Sequence, residues 1–164
     1  MSKAAVVAFG FGVPHAVASN REIARLAGEW AGKVRGPVYT QLDVQLPRGI
    51  DFVPTPEDPG HPPPTLRIAR NAVRWAQRQG IEDLLVVAAR PHLQRARRDV
   101  LEAVREQRAE ITVYDCYQDV AGTSVDFWFS PYSRQWRGRW WIYWNVRDWI
   151  LLHMPLWLYK WVAS

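Results

Sequence analysis

Residues 84–89 form a continuous apolar run, Leu-Leu-Val-Val-Ala-Ala, that ends abruptly in Arg90-Pro91-His92 and passes straight into a helical pattern. A run of strand length, rich in β-branched residues, is what a strand buried on both faces looks like. Such strands belong to parallel sheets covered by helices. In open parallel sheets, ligands bind at the carboxyl ends of the strands, where the next helix turns unpaired N–H groups outward. Pro91 suits a first helical position, since its missing N–H had no partner there. Arg90, His92 and Arg95 are therefore expected around one mouth, above a partly positive helix start.

The rest of the chain supplies the other layers. Ala4–Phe9 reads as a first buried strand; Gly10 and Gly12 interrupt the apolar run and argue against a cleaved leader. Two glycines after a first strand, in Gly10-Phe11-Gly12, permit a tight turn and close backbone approach to a ligand. The third glycine of a dinucleotide fingerprint is missing, with His15 in its place. Ser19 and Glu22 match a capping box, and Ile23, Leu26, Ala27, Trp30 and Val34 follow on one helical face, with Gly32 and Gly36 as stops. Loose alternation over 37–46 and a short apolar stretch at 50–53 read as further strands. Residues 54–64 hold six of the 12 prolines, a stiff extended segment that is either a spacer or a flap beside the site.

Thr65 is expected to cap a helix over 65–79, with Ala69, Ala72, Val73 and Ala76 as its sheet-facing side. Arg67, Arg70, Arg74 and Arg78 form a row that is either a solvated face or a track for phosphates. A helix over 91–107 buries Leu93, Ala96, Val100, Ala103 and Val104 and keeps Arg98, Glu102, Arg105 and Glu106 wet. Residues 111–117 complete the strands, and the lone Cys116 is expected to be an inert core thiol. The alternation predicts an α/β, Rossmann-like three-layer sandwich with a mainly parallel sheet of four or five strands. Residues 1–122 would form that unit, and 123–164 an aromatic helical extension packed on it.

The extension departs in character. Seven of the ten tryptophans lie between 136 and 161, and 139–154 is helical in length yet apolar on nearly every side. Such a helix is enclosed by protein or placed in lipid. Arg147 and Asp148 in its middle, and Pro155 after it, argue against a membrane span. Two readings stay open: a helix closing the core and meeting another subunit, or one lying on a membrane interface with Arg134, Arg137, Arg139 and Lys160 as basic anchors. Removing 136–164 is expected to unfold or aggregate the chain.

Net charge is +5, dominated by arginine, which favours an anionic partner. Nucleic acid is not expected, because no recognised binding module is present. Walker, Gly-x-Ser-x-Gly and His-Glu-x-x-His signatures are absent, and no metal-ligand set is spaced for coordination; His15, His61 and His153 read as ordinary residues.

Residues from about 4 to 120, most closely 65–100, resemble the ElyC/SanA/YdcF family of bacterial proteins. The resemblance rests on Thr65-Leu-Arg-Ile-Ala69, Leu84-Leu-Val-Val-Ala88 and His92-Leu-Gln-Arg95-Ala96, with an echo at Arg147-Asp148. It departs over 41–58, where the family's Ser-Gly-Gly strand end and Ser-Glu-Ala helix have no counterpart, and after Thr65, where acidic residues are replaced by Arg67 and Ile68. The resemblance implies a Rossmann-like fold, a link to the bacterial envelope, and S-adenosylmethionine or a lipid-carrier phosphate as candidate ligands. It carries over Gly10, Gly12, Thr65, His92 and Arg95 as pocket residues, and leaves the cofactor unknown.

Two functions follow. In one, a cytoplasmic or inner-membrane-peripheral protein binds a phosphate-bearing or nucleotide-like anion. Gly10, Phe11 and Gly12 admit it, Thr65, Arg90 and Arg95 hold it, and His92 titrates beside it as candidate acid or base. Arg95 is then expected to be exposed and dispensable for folding. In the other, the α/β unit is a silent scaffold whose aromatic tail docks a membrane, a partner protein or a second copy. A deep pocket over His92 would favour the first; a closed mouth under an exposed tail would favour the second.

Overall fold

The two apolar runs of the chain become the two central strands. β1 (Ala4–Phe9) and β4 (Asp83–Ala88) pair in parallel from Ala4 opposite Asp83 to Phe9 opposite Ala88, and both are buried from their second residue on. The structure is a computed structural model describing residues 3–57, 63–133 and 141–162. His61, the middle of the proline-rich stretch, and Arg134, Trp136, Arg137 and Arg139 lie outside those residues.

With β2 (Val38–Thr40), β3 (Phe52–Pro54) and β5 (Thr112–Asp115), these strands form one parallel sheet in the order β3-β2-β1-β4-β5. The chain builds outward from β1 to β3, then crosses back to β4 and continues the other way. The order therefore reverses between β1 and β4, whose carboxyl ends form a topological switch point. Right-handed crossovers put α1 (Ala18–Val34) on one face, with α2 (Thr65–Arg78) and α3 (Arg90–Gln107) on the other. This is the α/β, Rossmann-like layering expected from the alternation of patterns. Small residues explain how closely α2 lies on the sheet: Ala69, Ala72, Val73 and Ala76 are completely buried.

Local details differ from the sequence reading. No capping box forms, because the Ser19 hydroxyl donates to the Phe11 carbonyl at 2.7 Å and α1 starts without a side-chain cap. Thr65 does not cap α2 either; its hydroxyl oxygen accepts from Arg95 Nη1 at 3.0 Å. At the end of α1 the left-handed residue is Arg35 (φ 51°). Gly36 is needed for a different reason: a Cβ there would stand 2.0 Å from the Ala4 carbonyl oxygen. The strand expected over 37–46 is only three residues long, because it ends where Gln41 turns in to hold the loop after β1.

Beyond β5 come α4 (Tyr117–Ala121), a 3-10 turn at Val125–Trp128, α5 (Trp141–His153) and α6 (Leu156–Val162). Trp128 joins the main core, whereas Leu151, Tyr159 and Leu66 of α2 form a small cluster of their own, with Met154 packed against it. Among the described residues, no helix is long and apolar enough to cross a membrane.

Candidate functional site

The loop after β1 is held by the chain's own side chains. Gly10 N–H donates to Gln41 Oε1 and Phe11 N–H to Asn20 Oδ1, both at 2.7 Å, while Val13 N–H reaches Ser133 Oγ at 3.4 Å. The Asn20 amide also donates to the carbonyls of Gly12 (3.0 Å) and Pro14 (3.3 Å). In dinucleotide-binding proteins of this topology, such N–H groups face a pyrophosphate. Here Asn20, Gln41 and Ser133 take them, and Gly12 (φ +89°) supplies the turn that makes this geometry reachable.

The switch point itself is filled. The His92 imidazole, on the first turn of α3, meets the rings of Phe9, Phe11 and Trp144 at centroid distances of 6.2, 6.3 and 5.6 Å. Trp144 comes from the tail, and its indole N–H donates to the Pro91 carbonyl at 3.3 Å. Only 4 % of His92 is exposed. A guanidinium can only donate, so the 3.1 Å contact from Arg95 Nη2 makes His92 Nδ1 an acceptor and leaves the ring proton on Nε2. Burial, followed by the positive charges of Arg95 and Arg147, pushes the His92 pKa well below its ordinary value. The expectation of a histidine poised near neutral pH is thus corrected: this imidazole is held neutral.

Arg95 is also 4 % exposed, not a surface arginine. Its guanidinium forms an ion pair with Asp148 of α5, bonds Thr65 and His92, and lies 5.4 Å from the Trp144 ring. Burial raises the Asp148 pKa, and the Arg95 charge opposes that rise. The arginine expected to hold a ligand anion thus holds a carboxylate of its own chain.

This pair belongs to a longer seam. On α3, His92, Arg95, Asp99 and Glu102 are all buried, at spacings of 3, 4 and 3 that place them on one helical face. The tail meets that face residue by residue. The Tyr159 hydroxyl donates to Asp99, and Lys160 Nζ lies 2.7 Å from Glu102 and 3.0 Å from Glu106. Arg98 donates to the Leu151 and Leu152 carbonyls at 2.9 and 3.3 Å, with its guanidinium 4.0 Å from the Tyr159 ring. Burial raises the Asp99 pKa, while Arg70 and Lys160 lower that of Glu106 to about 2.

Of the expected site residues, Phe11, His92 and Arg95 converge at one buried point, with half-buried Thr65 bonded to Arg95 at its edge. Arg90 stands apart, exposed, donating to the Thr123 carbonyl at 3.0 Å. Gly10 and Gly12 belong to the turn that Asn20 and Gln41 secure. Sequence reasoning missed Asn20, Gln41, Asp99 and Tyr159, and named Asp148 without assigning it to the site. The polar stripe 92-95-99-102 was the trace available, but a solvated helix face keeps the same spacing, so the sequence alone could not tell the two apart.

No family model and no curated protein matches the chain. Its chemistry is read from its own geometry. That geometry is a Rossmann-like switch point closed by Trp144 and Asp148, and a tail that turns Asp148 and Lys160 toward α3. Cys116 adds no reactive thiol: it is buried, and burial pushes its pKa up to about 11.

Proposed function

We propose that this chain is a scaffold without a chemical step of its own, an α/β unit that seats on a membrane surface through α5 and α6. One observation carries the reading: the tail turns most of its large apolar side chains outward. On α5 the inward residues are Trp144, Asp148 and Leu151, whereas Trp141, Ile142, Tyr143, Val146, Trp149 and Ile150 face outward. On α6, Trp157 and Trp161 are 72 % and 80 % exposed. A tryptophan covers about 150–250 Å² when buried, so this face exceeds the few hundred Å² of apolar patch usual on a monomer.

The composition of the face favours lipid over a protein partner. Trp and Tyr are the residues of the membrane interface, where an apolar ring with one polar atom suits the headgroup level. Helices with an aromatic, apolar face and basic residues beside it lie in that plane. Arg134, Arg137 and Arg139 directly precede α5 in sequence, and the whole chain carries a net charge of +5, which complements an anionic leaflet. The resemblance to envelope-linked proteins points to the same kind of surface.

The test is co-sedimentation with phosphatidylcholine vesicles and with vesicles containing phosphatidylglycerol. The full chain should pellet with both, more with the second. Trp157→Ala with Trp161→Ala should remain folded and lose at least tenfold in partitioning. A wild-type chain that stays in the supernatant with every vesicle, or that covers this face by dimerising without lipid in light scattering, overturns the reading.

A further inference from the structure

Beside the sealed mouth, α3 and α5 leave an open groove of about 770 Å³ between them. The α3 side carries Arg90, Gln94 and Arg97, the α5 side carries Asn145 and Trp149, and Arg98 also lines the groove. The α3 residues are spaced 4 and 3 apart, so they share one face along about two turns, or roughly 10 Å of helix. We propose that this groove is a headgroup site for a phosphate-bearing lipid, an inference that rests on the membrane-seating reading above.

Charge comes first. Three guanidiniums line the groove against one carboxylate, Asp148, and that carboxylate is paired with Arg95 behind the wall. The cations are also held in place. Arg90 Nη1 donates to the Thr123 carbonyl at 3.0 Å, Arg97 Nε lies 3.1 Å from Asp115, and Arg98 Nη1 is bound by the last carbonyls of α5. A guanidinium has five N–H donors in a fixed fork, so these bonds orient the forks of Arg90 and Arg97 without exhausting them. Arg98 instead spends its donors on Leu151, Leu152 and Asp99 and adds mainly charge. Oriented forks match the oxygens of a phosphoryl group. Gln94 and Asn145 add neutral amide donors that suit a glycerol or other hydroxylated headgroup. The volume is far more than inorganic phosphate fills and falls in the range of small-molecule sites.

Position decides the source. Trp149 lines the groove and is also one of the outward tryptophans, 62 % exposed. A lipid whose tails remain in the bilayer beneath α5 and α6 could therefore present its phosphate to the groove without leaving the membrane. A free phosphate gains nothing from that continuity.

The experiment compares partitioning of the full chain onto phosphatidylcholine vesicles with and without phosphatidic acid, alongside calorimetric titration with glycerol-3-phosphate. The expected result is at least tenfold preference for phosphatidic acid vesicles. Arg90→Ala with Arg97→Ala should abolish that preference, while binding to phosphatidylcholine alone changes less than twofold. Gln94→Glu, which removes no tether and places a carboxylate in the groove, should do the same. Arg21→Ala with Arg48→Ala, at exposed arginines on or near α1, removes equal charge elsewhere and should keep most of the preference. Equal losses in the groove and control variants mean diffuse charge and overturn the headgroup site, while seating through the tryptophans stands. Binding of glycerol-3-phosphate that needs Arg97, with no vesicle binding at all, overturns membrane seating and the lipid source together.

Discussion

The Tyr159 hydroxyl donates to the Asp99 carboxylate across 60 residues of chain, and both side chains are buried. The bond joins the last helix of the tail to the middle of α3, and Arg98 at 3.4 Å gives the same carboxylate a second partner. Burial and the adjacent Asp99 charge push the Tyr159 hydroxyl up to about 12, so it remains a donor throughout the neutral range. Removing a partner from a buried carboxylate costs about 1–3 kcal/mol. Tyr159→Phe should lower stability by that amount in chemical denaturation, and adding Asp99→Asn should return part of it. A Tyr159→Phe chain as stable as wild type would mean that the tail is not seated on α3.

Arg95→Ala should be among the most damaging single changes in the chain. It leaves Asp148 charged, with only 6 % of the residue exposed, and without its ion-pair partner. Breaking a buried pair from one side costs about 3–5 kcal/mol, whereas replacing both partners with apolar groups is often neutral. Arg95→Met with Asp148→Leu should therefore recover most of the stability lost in Arg95→Ala. A double-mutant cycle by thermal denaturation measures the coupling, and a coupling energy near zero would show that the pair is not formed in solution.

The parallel sheet, the burial of β1 and β4 and the small-residue face of α2 were all legible in the sequence. Each rests on one strong local signal, an unbroken apolar run or a 3-4 alanine spacing. What was not legible depends on contacts between distant segments. Asn20 and Gln41 look like ordinary polar residues until Gly10 and Phe11 are beside them. Arg95 reads as a ligand-facing arginine because its partner, Asp148, lies 53 residues away in a stretch whose aromatics dominate its pattern. The same distance conceals why His92 is neutral: the ring that closes over it belongs to Trp144.

Stability should fall as pH drops below the ordinary histidine range, with His92 contributing. Its folded pKa is depressed, by burial first and then by Arg95 and Arg147. The unfolded chain therefore binds a proton that the folded chain refuses. The stabilisation is complete above about pH 6.5 and is lost as pH falls toward the depressed value, by about 1.4 kcal/mol per unit for one proton. Asp148 and Asp99, both raised by burial, act with the opposite sign at lower pH. Melting temperatures at pH 7.5 and 5.5 should differ less in His92→Gln than in wild type. An identical difference in the two proteins would rule out a neutral buried imidazole.

A chain ending at Ser133 should fold, against the expectation from composition that the aromatic tail completes the core. The tail does bury Trp144, Leu151 and Tyr159, worth about 1.5–3 kcal/mol each and on the order of 5 kcal/mol together. Its removal uncovers Phe11 and Leu66 together with His92, Arg95, Asp99 and Glu102 on α3, and because water solvates the polar four well, part of that loss is offset. The sheet, α1, α2 and the rest of α3 keep their own continuous core, and Ser133 stays to hold Val13. The truncated chain should melt cooperatively, lower by roughly 10–20 °C at about 2–4 °C per kcal/mol, and it should no longer pellet with vesicles. An insoluble product or a transition without cooperativity would instead make the tail part of the core, and its outward tryptophans would then need another explanation.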